Sequence, residues 1–213
     1  MHSPPVVQGG VGAIAERAHR DEAAQFITQI RQNPYNAAIL DRMASLALPQ
    51  SMLVGGCLFQ TIWNLQSGRA PFDAIKDYDL FYFDDGDLTH EGEGAVNERL
   101  RRYFADLDIQ IDAANQARVH LWYESHFGYP LAPLTSSRDG VDRFLMPCTA
   151  VGVGLGEAEE PILYAPFGLE DLYRGHVRPN PRLQQADLFA RKAASYQARW
   201  PWLSIAQACP VSS

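Results

Sequence analysis

The sequence predicts a mixed α/β (α+β) fold, and three observations carry that reading. Short apolar runs that end in turn residues alternate with stretches whose apolar residues recur every three or four positions. Their order is irregular, with no internal repeat and no low-complexity block, so a sheet flanked by helices fits better than a bundle or a sandwich. The chain has 213 residues, 46% of them hydrophobic and 20% charged, enough to bury one core without disulfides.

Residues 1–20, rich in Pro, Gly and Ala, read as a loose tail, and residues 21–205 as a single domain with a helical extension at its C-terminal end. Asp21 opens a helix through Phe26, Ile27 and Ile30 that stops near Asn33-Pro34. A second helix puts Ile39, Leu40, Met43 and Leu46 on one face. Residues 51–54 form a strand that ends in Gly55-Gly56, and Leu58, Ile62 and Leu65 mark the helix after it. Residues 79–83 make a second strand, running into the turn Asp84-Asp85-Gly86-Asp87. Val96, Leu100, Tyr103, Phe104 and Leu107 then repeat at the helical period.

Residues 109–112 form a third strand, with Ile109 and Ile111 on one face and Asp112 on the other. Asn115 can cap a helix that gathers Val119, Trp122, Tyr123 and His126. A short helix near 137–145, strands near 149–155 and 162–165, and a last helix over 184–199 stopped by Pro201 complete the order.

Composition excludes several classes. No apolar run reaches the eighteen or so residues of a membrane span, and residues 1–12 lack the features of a signal peptide. Cys57, Cys148 and Cys209 are odd in number and widely spaced, which gives neither a disulfide framework nor a structural zinc site. The expectation is a soluble, cytoplasmic protein without a membrane partner.

The net charge of −7 has a location. Between residues 73 and 93 lie eight acids against Lys76 alone, which accounts for the whole excess. Between residues 174 and 199 the sign reverses, with Arg174, Arg178, Arg182, Arg191, Lys192 and Arg199 against Asp187. An acidic and a basic block suit a site that binds metal and phosphate together; two separate solvated faces are the ordinary alternative.

The residues that carry chemistry come in a telling order: strand, Gly55-Gly56, helix, then Asp77-x-Asp79 at the head of a strand, then Asp112 on the next. Residues i and i+2 of a strand share a face, so Asp77 and Asp79 can grip the same cations, and an adjacent strand can add Asp112. Three converging carboxylates suit two Mg²⁺ ions, which clamp the attacking and leaving oxygens of a phosphoryl displacement. Glycine at a helix N-terminus lets backbone N–H groups approach a phosphate. Taken singly, each piece is ordinary: Asp-x-Asp recurs at Asp85/Asp87 and Asp106/Asp108, where turns are expected. The third carboxylate is Asp112 or Asp108, and Asp112 holds only if Ile109 and Ile111 face the core.

Lys192 is one of two lysines in the chain, and with Ser195 and Arg199 it shares a helical face able to neutralise a triphosphate. Arg118 and His120 diverge on a helix, so one reaches the site and the other packs elsewhere; Arg118, as the cation, is the candidate to meet a phosphate. Trp122, Tyr123 and Phe127 read as core, with a stacking wall for a base as the alternative. Cys57 reads as a small buried residue, and Arg178-Pro179-Asn180-Pro181 as a rigid turn with Arg178 near a phosphate.

Leu53-Val54-Gly55-Gly56 followed by Lys76-Asp77-Tyr78-Asp79-Leu80-Phe81 resembles the nucleotidyltransferase superfamily of DNA polymerase β and the CCA-adding enzymes. More closely, the chain resembles a bacterial nucleotidyltransferase-like family. The carrying segments are Asn115-Gln116-Ala117-Arg118-Val119-His120-Leu121-Trp122-Tyr123, Ala165-Pro166-Phe167-Gly168-Leu169-Glu170-Asp171-Leu172 and the run with Lys192 and Arg199-Trp200-Pro201. The resemblance implies a mixed-sheet nucleotidyltransferase fold and Mg²⁺- or Mn²⁺-dependent transfer of a nucleoside monophosphate from an NTP to an acceptor hydroxyl that the motif leaves open. It implies that Asp77, Asp79 and Asp112 hold metal and that Gly55 and Gly56 hold the triphosphate. Two rivals stand beside it: an inactive nucleotide sensor or protein-binding module of the same shape, and an RNA-directed enzyme, such as a tRNA-modifying toxin, that uses the basic block as its track.

Overall fold

In the computed structural model, which describes residues 10–183 and 185–206, five strands form one sheet. In spatial order they are Gln110–Asn115 (β3), Asp77–Tyr82 (β2), Met52–Val54 (β1), Gly152–Leu155 (β4) and Pro161–Tyr164 (β5). β2 and β3 are parallel and the other pairs antiparallel, so the sheet is mixed as expected. A second, two-stranded sheet pairs His176–Val177 (β6) with Ser204–Ile205 (β7), next to the short helix Glu170–Arg174 (α7); none of the three is legible as a pattern in so few residues.

Alternation decides the faces of the sheet. On β2, Tyr78, Leu80 and Tyr82 are buried while Asp77, Asp79 and Phe81 are only partly so; on β3, Ile111 and Ala113 are buried opposite Asp112 and Ala114. The register sets Asp79 against Asp112 and Val54 against Asp79. Behind the buried face, the helix Gly56–Gln66 (α3) is buried almost all round, and Cys57, Leu58, Ile62 and Trp63 are fully enclosed.

Polar side chains tie the helical layer to the strands. Asn33 caps the helix Pro34–Arg42 (α2) by accepting from the Tyr35 N–H at 3.0 Å, and its amide donates to the Tyr78 hydroxyl at 3.3 Å. Asn36 donates to the Cys57 carbonyl at 3.0 Å, inside α3. Such bonds hold Tyr78 from beneath, and its two flanking aspartates therefore project from a fixed strand.

Residues 10–20, expected in a loose tail, belong to the helix Gly10–Ile30 (α1); residues 1–9 lie outside the described residues. The helix expected after Asn115 is a 3₁₀ helix, Gln116–Leu121, followed by the short helix Tyr123–Phe127 (α5). Asn115 does cap it, accepting from the Ala117 N–H at 3.1 Å. The last helix is Ala186–Arg199 (α8), pinned by buried Phe189, Ala193 and Tyr196, with the Trp200 indole donating to Asn64 of α3 at 3.0 Å. No helix among the described residues is long and apolar enough to cross a membrane.

Candidate active site

A cleft of about 660 Å³ opens over the Asp77–Asp79 face of β2. Its floor is Asp77, Asp79 and Phe81 with Ala114, one end is Gly55-Gly56, and one wall is α8. Gly55 has φ +62° and donates its N–H to the Val151 carbonyl at 2.9 Å, turning the chain sharply from β1 into α3. A Cβ there would sit 2.7 Å from the Phe144 ring, so both backbone angle and space call for glycine. The turn sets the N-terminus of α3 at the cleft beside Asp77.

Asp77 and Asp79 share the strand face, and neither carboxylate has a hydrogen-bond or ion-pair partner among the described residues. Burial pushes the Asp79 carboxyl up to about 6, with Asp77 and then Asp112 adding to the rise and Lys192 opposing it. Asp112 stands opposite Asp79 in the register, and Ile111 is 1% exposed, so strand alternation selects Asp112 over Asp108, which sits in a left-handed turn before β3. Yet the Asp112 side chain leans away, accepting from Arg101 at 2.9 Å and from Gln110 at 3.1 Å. The three expected ligands therefore share an edge without forming a closed cluster, and no group of three or more metal-ligating acids, histidines or cysteines stands together among the described residues.

The bases divide. Lys192, Ser195 and Arg199 line the cleft along one stripe of α8, as their spacing predicts. Arg199 donates to Gln60 at 2.9 Å and lies over the Trp200 ring at 4.5 Å; burial lowers its pKa, partly offset by Tyr196 and Asp77. Arg118 stands elsewhere. Its guanidinium is buried, ion-paired to Glu93 and close to the Leu88 carbonyl at 3.4 Å, so it secures helix His90–Tyr103 (α4) to the end of β3 instead of lining the cleft. Glu93 also accepts from the Asn115 N–H at 2.9 Å, and the Asn115 amide holds the Asp84 and Asp87 carbonyls. Within the segment 115–123, Asn115 and Arg118 thus serve as scaffolding for the strand end, while Gln116, Val119, Trp122 and Tyr123 face the cleft.

The first three arginines of the basic block are paired locally. Arg174 pairs with Glu170 at 2.8 Å, Arg178 with Asp171 at 2.6 Å and Arg182 with Asp142 at 2.8 Å, so Arg178 does not reach the cleft. The two charged blocks meet at the cleft, with Asp77 and Asp79 against Lys192 and Arg199. Cys57 is fully buried, and burial pushes its thiol up, as an inert core residue requires; Cys209 lies outside the described residues.

Trp122, Tyr123 and Phe127, expected in the core, are half-buried on the cleft wall, with the Tyr123 and Phe127 centroids 4.8 Å apart. They leave the core because α5 is one short turn that follows a 3₁₀ helix, which breaks the long stripe assumed for them. Sequence reasoning also missed Gln60, Gln185 and Arg143 in the lining. Gln60 was findable one helical turn after Gly56, and Gln185 seven residues before Lys192. Arg143 carries no local signal, because long-range packing brings its loop to the cleft.

The comparisons agree with this geometry. A search of curated proteins gave no match. A solved structure described as "The NMR structure of the protein reveals a CCA-adding enzyme head domain" superposes with a TM-score of 0.72 at 31% identity, covering 87% of this chain and 96% of that one. A family model described as Nucleotidyltransferase matches residues 41–205, from α2 to the last strand, and the chain belongs to that nucleotidyltransferase family.

Proposed function

We propose that the protein transfers a nucleoside monophosphate from an NTP to an acceptor hydroxyl, using Mg²⁺ or Mn²⁺ held by Asp77 and Asp79. The observation that carries this reading is a pair of carboxylates, without a hydrogen-bond or ion-pair partner among the described residues, on one strand face beside a glycine turn at a helix N-terminus. An all-oxygen donor set in which burial, and after it the neighbouring carboxylates, pushes Asp79 up to about 6 fits a hard divalent cation. Such an ion, when bound, neutralises the repulsion between the carboxylates and polarises the α-phosphate.

The chain's own residues do the rest. The α3 N-terminus at Gly55-Gly56 binds the terminal phosphates, with Lys192 and Arg199 across the cleft balancing their charge. The acceptor oxygen bonds to the α-phosphorus, the bond to the bridging oxygen breaks, and pyrophosphate leaves with that electron pair. Asp112, freed from Arg101, would take the acceptor proton and would help to hold a second metal ion. The Arg101–Asp112 ion pair is the observation that favours the inactive-module reading. The pairing of Arg174, Arg178 and Arg182 removes support from the RNA track.

The test is label transfer from α-³²P NTPs, with Mg²⁺ or Mn²⁺, to fractionated small-molecule, protein and RNA pools. Label transfer that Asp77→Asn abolishes is expected. A folded, nucleotide-binding protein that labels nothing in any pool would make it a sensor or binding module.

A further inference from the structure

The cleft has a direction. α8 runs along it antiparallel to β2: Arg199 lies within electrostatic reach of Asp77, Lys192 of Asp79, and Gln185, at the other end of the helix from Arg199, bonds to Tyr123. From Arg199 to Gln185 is 14 residues of sequence, about 20 Å at helical rise. One end is charged, with Gly55-Gly56, Gln60 and Arg199. The other end is aromatic and amide-bearing, with Trp122, Tyr123, Phe127 and Gln185.

The floor repeats that gradient. Along β2 it passes from Asp77 and Asp79 to Phe81, and beside it β3 ends at Asn115, three residues or about 10 Å past the level of Asp79. That is comparable to the reach from a nucleotide's α-phosphate, across the ribose, to its base. The aromatic trio is half-buried and unattached to the main core, which suits rings waiting for a planar partner. The Gln185 amide donates to the Tyr123 hydroxyl at 3.0 Å and is 7% exposed, so a fixed amide edge stands next to the rings.

We infer that the aromatic end is the nucleobase subsite: the base stacks against Trp122, Tyr123 and Phe127 and is read by the Gln185 amide, with the triphosphate toward Arg199. This rests on the nucleotidyl-transfer reading and fixes the orientation of the NTP within it. A side-chain amide can pair bidentately with one base edge and not with others, so Gln185 gives the site a base preference.

The experiment is calorimetric titration of the four NTPs, and of inorganic tripolyphosphate, in Mg²⁺, with melting curves to verify folding. Trp122→Leu and Tyr123→Leu keep apolar volume and remove the ring; each is expected to weaken NTP binding roughly tenfold or more and to leave tripolyphosphate unchanged. Gln185→Leu is expected to bring the four NTP affinities together, and Tyr123→Phe to keep most of the affinity. If the ring variants bind NTPs as the wild type does, or lose tripolyphosphate equally, the base subsite is wrong while nucleotide binding stands. If neither NTP nor tripolyphosphate binds the wild type, the nucleotidyl-transfer reading falls and takes the subsite with it.

Discussion

Asp79 and Asp112 face each other across the parallel β2–β3 pair, yet Asp112 is bonded to Arg101 at 2.9 Å while Asp79 points into the cleft without a partner among the described residues. The same register thus holds one carboxylate ready and one latched. The latch is a half-exposed ion pair, worth little on its own in water.

Arg101→Ala should therefore let Asp112 turn toward the cleft without harm to the fold. Affinity for Mn²⁺, read by titration, is expected to rise by up to about fivefold, the equivalent of a surface pair of about 1 kcal/mol. An unchanged affinity would mean that Asp112 serves only to hold α4.

Asp79 should cost the ligand-free protein stability at neutral pH. Its carboxyl ordinarily titrates near 3.8 and is pushed up to about 6 in the fold, mainly by burial. The folded state thus binds the proton more tightly than the unfolded chain. The penalty is absent below about pH 4, grows as pH rises toward 6 and is constant above it. Asp79→Asn should stabilise by up to about 3 kcal/mol at pH 7 and by nothing at pH 3.5, checked by denaturant titration at both pH values.

The two glycines of the turn should fail differently. Gly55→Ala meets a positive φ and the Phe144 ring, and should lose roughly 1–3 kcal/mol of stability. At Gly56 a Cβ would lie 3.1 Å from the Gln60 amide, the movable end of a side chain, so Gly56→Ala should fold and lose phosphate affinity instead. Melting curves with and without tripolyphosphate separate the two.

Arg118 and Lys192 should exchange the parts that a charge count gives them. Arg118→Ala leaves the partly buried Glu93 without its cation, expected to cost about 3 kcal/mol, while the folded fraction binds NTP normally. Lys192→Ala should leave melting within about 0.5 kcal/mol and weaken NTP binding by roughly tenfold.

Why the sequence shows some of this and hides the rest follows from range. Asp77 and Asp79, the Gly55 turn and the Lys192–Ser195–Arg199 stripe are set by periods of two and 3.6 residues, which any reader of the chain can count. Asp112 against Asp108 needed only the burial of Ile111. Arg118 was misread because its partner Glu93 is 25 residues away on another helix, and proximity to a motif says nothing about such pairing. Trp122, Tyr123 and Phe127 were misread because a 3₁₀ turn replaced an α-helical period, which moved a face by part of a turn.

The central claim is that Asp77 and Asp79 make a metal-dependent nucleotide site, and thermal melting with each NTP tests it most directly. Wild type and Asp77→Asn are compared with and without Mg²⁺ or Mn²⁺. A ligand at a hundred times its Kd stabilises the fold by about 2.7 kcal/mol. The account predicts a shift with at least one NTP that requires the metal and disappears in Asp77→Asn. A shift equal in both proteins, or one indifferent to the metal, would contradict it.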